Sequence, residues 1–217
     1  MTTAIPFLVT GQSTSGGGTA SAAISPSLTG CTVGNLFAVF LGVTGITTVP
    51  AAPTGWATTS TGAGTSTAKR ALGLYFISAV AGTNSFSVTT GGPYNYVMAE
   101  FANATNVGDA NTSGNTSASN PSIAQGGTYS GSLFLAAIQS TSANTTSPYV
   151  PNWTSLAGLT NTGEFNAAYT VVPGTVGSIT WTQATSTTFT DALYSFQAKI
   201  APPARIILQA VNRAAYW

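Results

Sequence analysis

The side chains that most often carry out catalysis are scarce in this chain. It has no histidine, a single cysteine at Cys31, and four carboxylates, at Glu100, Asp109, Glu164 and Asp191. The carboxylates are scattered, and none lies at the spacing of a calcium loop or of a glycosidase pair. Without histidine there is no Ser-His-Asp triad and no imidazole ligand, and one cysteine cannot build a zinc site. We therefore predict a protein that is not an enzyme and that uses no metal or cofactor.

Aromatic side chains are the remaining candidates for binding. Tyr94 and Tyr96 flank Asn95 in GGPYNYV, and we expect one of the two rings to be exposed, where it could contact a sugar or a partner. Trp56 and Trp153 each follow a turn that contains proline. Each tryptophan could plug one end of the fold or stack on a glycan, as amphipathic rings do at rims.

The last residues, APPARIILQAVNRAAYW, differ from the rest of the chain in carrying two of its five basic residues among large apolar ones. Pro202 and Pro203 are expected to end the last strand. The segment 204–217 either folds back on its own domain or docks on a neighbouring subunit, because so short a helix is marginal alone. We predict a docking tail with these contact residues: Arg205, Ile207, Leu208, Val211, Arg213, Tyr216 and Trp217.

Charge is low everywhere, at 4% of residues, with five basic against four acidic side chains. No basic stripe is present to neutralise phosphates, so we predict no nucleic-acid partner. The N-terminus lacks the positive charge of a signal peptide, and no apolar run approaches the roughly 20 residues of a membrane span. We therefore expect a protein made in a host cytoplasm without membrane insertion, with Cys31 as a small apolar core residue.

Short runs rich in Val, Ile, Phe, Tyr and Thr alternate with Gly, Ser, Asn and Pro, which is typical of an antiparallel β protein. In RALGLYFIS both faces are largely apolar, which predicts a strand buried on two sides. The polar segment 112–120 is expected to be a loop between two halves. The candidate strands are 5–9, 20–24, 35–43, 55–60, 70–79, 84–89, 95–103, 132–139, 165–172, 178–182 and 187–199.

An internal repeat relates these halves. An offset of 97 residues places GNLFAVFLG on GSLFLAAIQ and Trp56 on Trp153, which favours a packing role for both tryptophans. Each half offers about five strands and cannot cover its own sheet, whereas two stacked halves share a core about 10 Å thick. We predict one all-β, antiparallel sandwich over residues 1–203, with pseudo-repeats at about 20–110 and 115–200 and a tail at 204–217.

The succession of GNLFAVFLG, PTGW, RALGLYFISAVAGTNSFSVTT, YVMAEFANA, GSLFLAAIQ, NWT and DALYSFQAKIAPP resembles a family of jelly-roll-like domains in minor structural proteins of bacteriophages. The resemblance covers residues 20–203, with Asn35 where the family usually has Asp and Trp153 where it often has Phe. It implies a duplicated jelly-roll-like sandwich in a virion, present in several copies or as a homo-oligomer among tail or capsid subunits. A minor tail protein is the first expectation. A capsid decoration or head-fibre protein and a module that binds carbohydrate or a host-surface glycan are the alternatives.

Overall fold

The computed structural model describes residues 4–63, 69–118, 122–124, 129–140, 147–148, 153–159, 165–174, 178–182 and 187–200. These residues form β-strands that pair antiparallel, which confirms the predicted all-β class. In the first half of the chain the strands are β1 (Phe7–Gly18), β2 (Ala23–Ile24), β3 (Ser27–Cys31), β4 (Leu36–Thr44), β5 (Ala57–Ala63), β6 (Arg70–Ser78), β7 (Gly82–Ser85), β8 (Val88–Thr89) and β9 (Tyr94–Ala102). In the second half they are β10 (Ala104–Ala118), β11 (Ser122–Ala124), β12 (Tyr129–Ser140), β13 (Ser147–Pro148), β14 (Thr154–Leu159), β15 (Phe165–Gly174), β16 (Ser178–Thr182) and β17 (Thr187–Ala198).

Two five-stranded sheets make up the body of the molecule. The first sheet has the order β1-β9-β4-β6-β5, and the second has the order β10-β17-β12-β15-β14. The chain crosses from one sheet to the other at Asn103, which has a φ of 58°. Asparagine tolerates this left-handed conformation better than most residues, so a single residue suffices for the crossing.

The main core lies between the two sheets. Alternate residues of β4, namely Leu36, Ala38 and Phe40, point into it, as do Leu133 and Leu135 of β12. This period of two is what strand geometry dictates. The other members of this central cluster are Leu72, Leu74, Val97, Ala99, Phe101, Ala104, Ala137, Phe165, Ala167, Ala192, Tyr194 and Phe196.

The outer faces of both sheets are also covered. Over the first sheet, the pairs β2-β8 and β3-β7 bury a second cluster that includes Phe37, Tyr75 and Phe86. Over the second sheet, β11-β16-β13 buries a third cluster around Phe134 and Trp181. The prediction that residues 70–78 form a strand buried on both sides is therefore confirmed, since Leu72 and Leu74 face the central cluster and Tyr75 faces the outer one.

Several edge strands differ from the sequence-based predictions. Residues 112–118 were expected to lie in a loop, but they belong to β10, which pairs along β17 at the edge of the second sheet. Likewise, β1 runs through the Gly- and Ser-rich segment to Gly18, beyond the strand expected at 5–9. An edge strand has a ladder partner on one side, and its polar side chains hide the alternation on which a sequence-based prediction depends.

Candidate functional site

The predicted contact residues of the tail, from Arg205 to Trp217, lie outside the described residues. The structure therefore leaves their role a prediction. The last described residue before them is Ile200, which lies two residues after the end of β17.

The two tyrosines of GGPYNYV lie on the same face of β9, and Asn95 between them is buried on the other face. Both rings are half-buried, so the prediction of one exposed ring is wrong. Residues two apart share a face of a strand, and both rings therefore meet the same surroundings. The rings are stacked, with centroids 6.5 Å apart and planes inclined by 14°. Burial raises the pKa of Tyr96, and the nearby Tyr94 raises it further.

The tyrosine rings lie over glycines of the edge strand β1. A methyl group at Gly16 would come within 2.8 Å of the Tyr96 hydroxyl oxygen, and one at Gly18 within 2.9 Å of the Tyr94 ring. The glycines thus leave the space that the rings fill. The rings in turn shield the backbone of these glycines from water. Part of each ring stays accessible, and such amphipathic rings suit contact with a sugar or an apolar group.

Trp56 and Trp153 occupy matching positions, each directly ahead of the edge strand that follows it, β5 or β14. Trp56 packs with its ring centroid 5.6 Å from Phe37 and 5.2 Å from Phe86. Trp153 is half-buried against the third cluster. Both rings therefore close the outer edge of a cluster, as expected for a packing role.

The fully buried carboxylate of Glu100 organises the turn that precedes β4. Its Oε1 accepts hydrogen bonds from the backbone N–H of Thr32 at 2.8 Å and from Nδ2 of Asn35 at 2.7 Å. Cys31 is buried beside it, and burial raises the pKa of the thiol. Because the thiolate is the nucleophilic form, this environment makes Cys31 inert and supports its predicted role as a core residue.

A second polar group lies at the opposite end of the central cluster. Arg70 is fully buried there, and its Nη2 donates a 2.7 Å hydrogen bond to the carbonyl oxygen of Phe189 in the other sheet. Burial lowers the pKa of Arg70 to about 10, so the guanidinium stays charged at neutral pH. Asn95 donates to Oε1 of Gln139 at 3.4 Å, which also joins the two sheets. These side chains hold the sheets in register and are enclosed by them.

Within the described parts of the chain, no three potential metal ligands come together. The same residues include no helix that is long and apolar enough to cross a membrane. A shallow depression of about 450 Å³ lies along β2 and β8, lined mostly by small side chains that include Ala23, Ser25 and Ser87.

Sequence reasoning missed an apolar surface at one end of the sandwich. The large apolar side chains that are exposed among the described residues are Ile5, Phe7, Val33, Val80 and Ile200. We call the surface that they form the apolar end. Their segments meet through backbone and side-chain hydrogen bonds.

Those hydrogen bonds place four of the five residues together, and Phe7 joins them because it lies opposite Ala102, next to Asn103. The N–H of Ala4 donates to the carbonyl of Lys199, next to Ile200, and Asn103 donates to the carbonyl of Ile5. Nζ of Lys199 donates to the carbonyl of Gly34, which follows Val33, and the N–H of Gly34 donates to the carbonyl of Ala79, which precedes Val80. No periodic pattern marks these positions, because they lie in turns and strand ends that only the fold assembles.

Comparison of the chain with models of protein families, with curated proteins and with solved structures gave no match.

Proposed function

We propose that this protein is a non-enzymatic structural component of a bacteriophage virion, acting as a minor tail protein. The observation that carries the proposal is the combination of a sandwich packed on both faces of both sheets with a nearly uncharged chain that ends in an apolar segment. A rigid body with a neutral, hydrogen-bonding surface suits a subunit held for long periods in a crowded assembly. The resemblance of residues 20–203 to phage minor structural proteins supports the same conclusion.

The proposal includes a duplicated, jelly-roll-like fold. Ranked along its own half of the chain, each large sheet has its strands in the order first, fifth, second, fourth, third. The strand that comes second along each half pairs with the strand that comes fifth, namely β4 with β9 and β12 with β17, and the paired residues are equivalent. Leu36 lies opposite Phe101, and Leu133, 97 positions after Leu36, lies opposite Phe196. A shared order and a shared register support descent of both halves from one unit.

Contacts between the sheets repeat in the same reciprocal way. Phe76 of the first sheet meets Phe196 of the second edge-on, with centroids 5.2 Å apart. Tyr169 of the second sheet meets Phe101 of the first edge-on, at 5.5 Å. Phe76 and Tyr169 hold equivalent positions, because they pair with Ala38 and Leu135, which are 97 residues apart. This reciprocity is typical of an interface with approximate twofold symmetry.

The non-enzymatic assignment rests on what the polar groups do. Glu100 is fully buried and accepts hydrogen bonds from Thr32 and Asn35 in the turn that precedes β4. Tyr194, also buried, donates to the carbonyl of Thr59 across the sheets at 3.4 Å. Each of these groups is used to hold the fold, whereas a catalytic group has to reach a substrate.

We propose that residues 204–217 attach the protein to a neighbouring tail or capsid subunit, and that several copies occupy each particle. Particles would be assembled with the full chain, with a chain that ends at residue 203, and with Trp217→Ala/Arg213→Ala, and their composition measured by mass spectrometry. Both variants should be depleted, because buried aromatic and Arg anchors dominate such contacts. Normal incorporation of the shortened chain would move the docking surface onto the sandwich.

The same particles would distinguish a tail position from the alternative of a capsid decoration or head-fibre protein. A cryo-EM map of the intact particle shows at which structure the sandwich density lies. Density on the tail supports the proposed role, and density on the capsid lattice replaces it with the alternative.

The stacked tyrosines favour a second candidate function, the binding of a host-surface glycan. A sugar ring would lie against the accessible parts of Tyr94 and Tyr96, with the Ser and Thr of β1 close by. A glycan array should identify a ligand, and Tyr94→Ala/Tyr96→Ala should abolish its binding while Tyr94→Phe/Tyr96→Phe, which keeps both rings, retains most of it. A chain that binds no glycan on the array removes this candidate and leaves the structural role.

A further inference from the structure

The apolar end is notable because it gathers every large apolar side chain that is exposed in the described part of the chain. Ile5 is 72% exposed, Val33 71% and Ile200 65%, while Val80 and Phe7 are 56% and 53% exposed. Isolated exposed apolar residues are common on proteins, but their concentration on one surface marks a contact site. The opposite end, at Thr47 and Thr48 after β4, is exposed but carries Thr side chains.

The position of the chain exit indicates what covers this surface. Ile200 is itself part of the apolar end, and the 17 residues that follow it in the sequence include Ile206, Ile207, Leu208, Val211 and Trp217. The sequence has Pro202 and Pro203 directly after the exit, and proline cannot donate a hydrogen bond to a β-ladder, so continued β-pairing is disfavoured there. A segment tethered this closely has an effective concentration of roughly millimolar at the surface beside it.

We propose that in the free protein residues 204–217 bind to the apolar end of their own sandwich. Apolar side chains of the segment cover Ile5, Phe7, Val33 and Val80, and the two arginines stay at the margin, where water reaches them. The proposal concerns the protein before assembly and does not depend on the virion role. If the segment also attaches the protein to a neighbour, it must first leave this site.

Trypsin provides a direct test with the full chain, because Arg205 and Arg213 lie in the segment. Cleavage of a docked segment requires that it first be released, so the rate follows the released population. Ile5→Ser/Val33→Ser weakens the site at its two most exposed residues, which contribute least to the fold itself. Thr47→Ser/Thr48→Ser is the matched control at the opposite end. Release of the peptides 206–217 and 214–217 would be followed by mass spectrometry at several protein concentrations.

Cleavage after Arg205 and Arg213 should be about tenfold faster in Ile5→Ser/Val33→Ser than in the control, which should match the unmodified chain. A second pair, Phe7→Ser/Val80→Ser, should give the same increase from different segments, and unchanged melting temperatures would show that both variants fold. Equal rates in all proteins would overturn the proposal. Protection that strengthens with protein concentration would also overturn it, because the occupant would then be the segment of a second copy.

Discussion

At the scale of single residues, buried polar groups determine the shape of the turns. Glu100 is one of four carboxylates in the chain, yet its Oε1 is used to accept hydrogen bonds from Thr32 and Asn35. Asn35 supplies the side-chain donor of this pair. A second carboxylate at this place would face Glu100 with a like charge, whereas the amide of Asn35 donates to it.

Removing the Glu100 carboxylate should therefore destabilise the protein. We expect Glu100→Ala to lower the free energy of unfolding by about 3 kcal/mol, because two donors lose a charged acceptor in a buried site. Glu100→Gln keeps an acceptor oxygen and should lose about 1 kcal/mol. Urea denaturation measures both. Equal losses for the two variants would show that the hydrogen bonds to Oε1 do not carry the effect.

The tryptophans show where sequence reasoning succeeded and where it stopped. The repeat drew attention to Trp56 and Trp153, which are half-buried at the cluster edges. Among the described residues, the fully buried tryptophan is Trp181 in β16, a strand that was predicted at 178–182 without any indication that this ring is buried. Burial of its ring depends on β16 crossing the outer face of the second sheet, and no local pattern encodes that crossing.

This difference in burial predicts an order of stabilities. We expect Trp153→Ala to lower the free energy of unfolding by about 3 kcal/mol and Trp181→Ala by about 5 kcal/mol, the lower and upper parts of the range for such truncations. Trp181→Phe, which keeps an aromatic ring in the cluster, should lose less than Trp181→Ala. Thermal or chemical denaturation checks the order, and a larger loss for Trp153→Ala would contradict the burial argument.

At the scale of elements, the central strands were predictable and the edges were not. β4, β6 and β12 are apolar on both faces, and the predicted runs 35–43, 70–79 and 132–139 match them to within a few residues. β10 and β14 were not predicted as strands, and β1 extends to Gly18, well beyond the strand predicted at 5–9. These edge strands draw their stability from one ladder and from tertiary contacts, which a single sequence does not show.

One pair of equivalent positions breaks the likeness between the central strands. Gly42 of β4 and Gln139 of β12, 97 residues apart, lie close together between the sheets. A methyl group at Gly42 would collide with the Gln139 side chain and would lie 2.9 Å from the Phe165 ring. Two large residues cannot both fit where β4 and β12 face each other at this point, so the glycine of β4 accommodates the glutamine of β12.

A double-mutant cycle tests this complementarity. Gly42→Ala should lower the free energy of unfolding by about 1–3 kcal/mol, as overpacking does. Gln139→Ala should also destabilise, because the hydrogen bond that Asn95 donates to Gln139 is lost. The double variant should be more stable than the sum of the two losses predicts, with a coupling of about 1 kcal/mol or more. Additive losses would show that the two side chains do not compete for space.

At the scale of the whole molecule, composition and the repeat predicted an antiparallel all-β protein, and the structure has that class. The apolar end could not be predicted in the same way. Its residues come from the N-terminus, two turns and the exit of β17, and they become neighbours only when both sheets are in place. A surface assembled from such distant positions has no periodicity and no spacing that a sequence displays.

Alkaline pH should destabilise the whole molecule. Burial raises the pKa of Tyr194 from 10.0 to about 12, and it also raises the pKa values of Tyr75 and Tyr96. The folded protein holds these protons more tightly, so the stabilisation is complete below about pH 10 and is lost as the pH rises through 12, by about 2–3 kcal/mol from Tyr194 alone. Arg70, with its lowered pKa, opposes this trend as one group against three.

Denaturation midpoints measured from about pH 9 to about pH 12 check this prediction. This range begins just below the ordinary tyrosine pKa of about 10. Tyr194→Phe removes the ionisable group and keeps the ring, so its stability should fall less steeply with pH than that of the unmodified chain. Identical slopes for the two proteins would contradict a contribution from Tyr194.

The two halves should unfold as one unit, because the central cluster draws on both sheets and neither sheet can cover that face alone. Trp56 reports on the first half and Trp153 and Trp181 on the second. In one variant Trp153, Trp181 and Trp217 become Phe, and in the other Trp56 and Trp217 do. Within each variant, fluorescence and far-UV circular dichroism should give the same midpoint in urea, which is the test for a two-state transition.

The fragment 1–103, which ends at the crossing residue, should not melt cooperatively as a monomer. Separate midpoints, or a soluble fragment with a sharp transition of its own, would show that the chain encodes two independent domains.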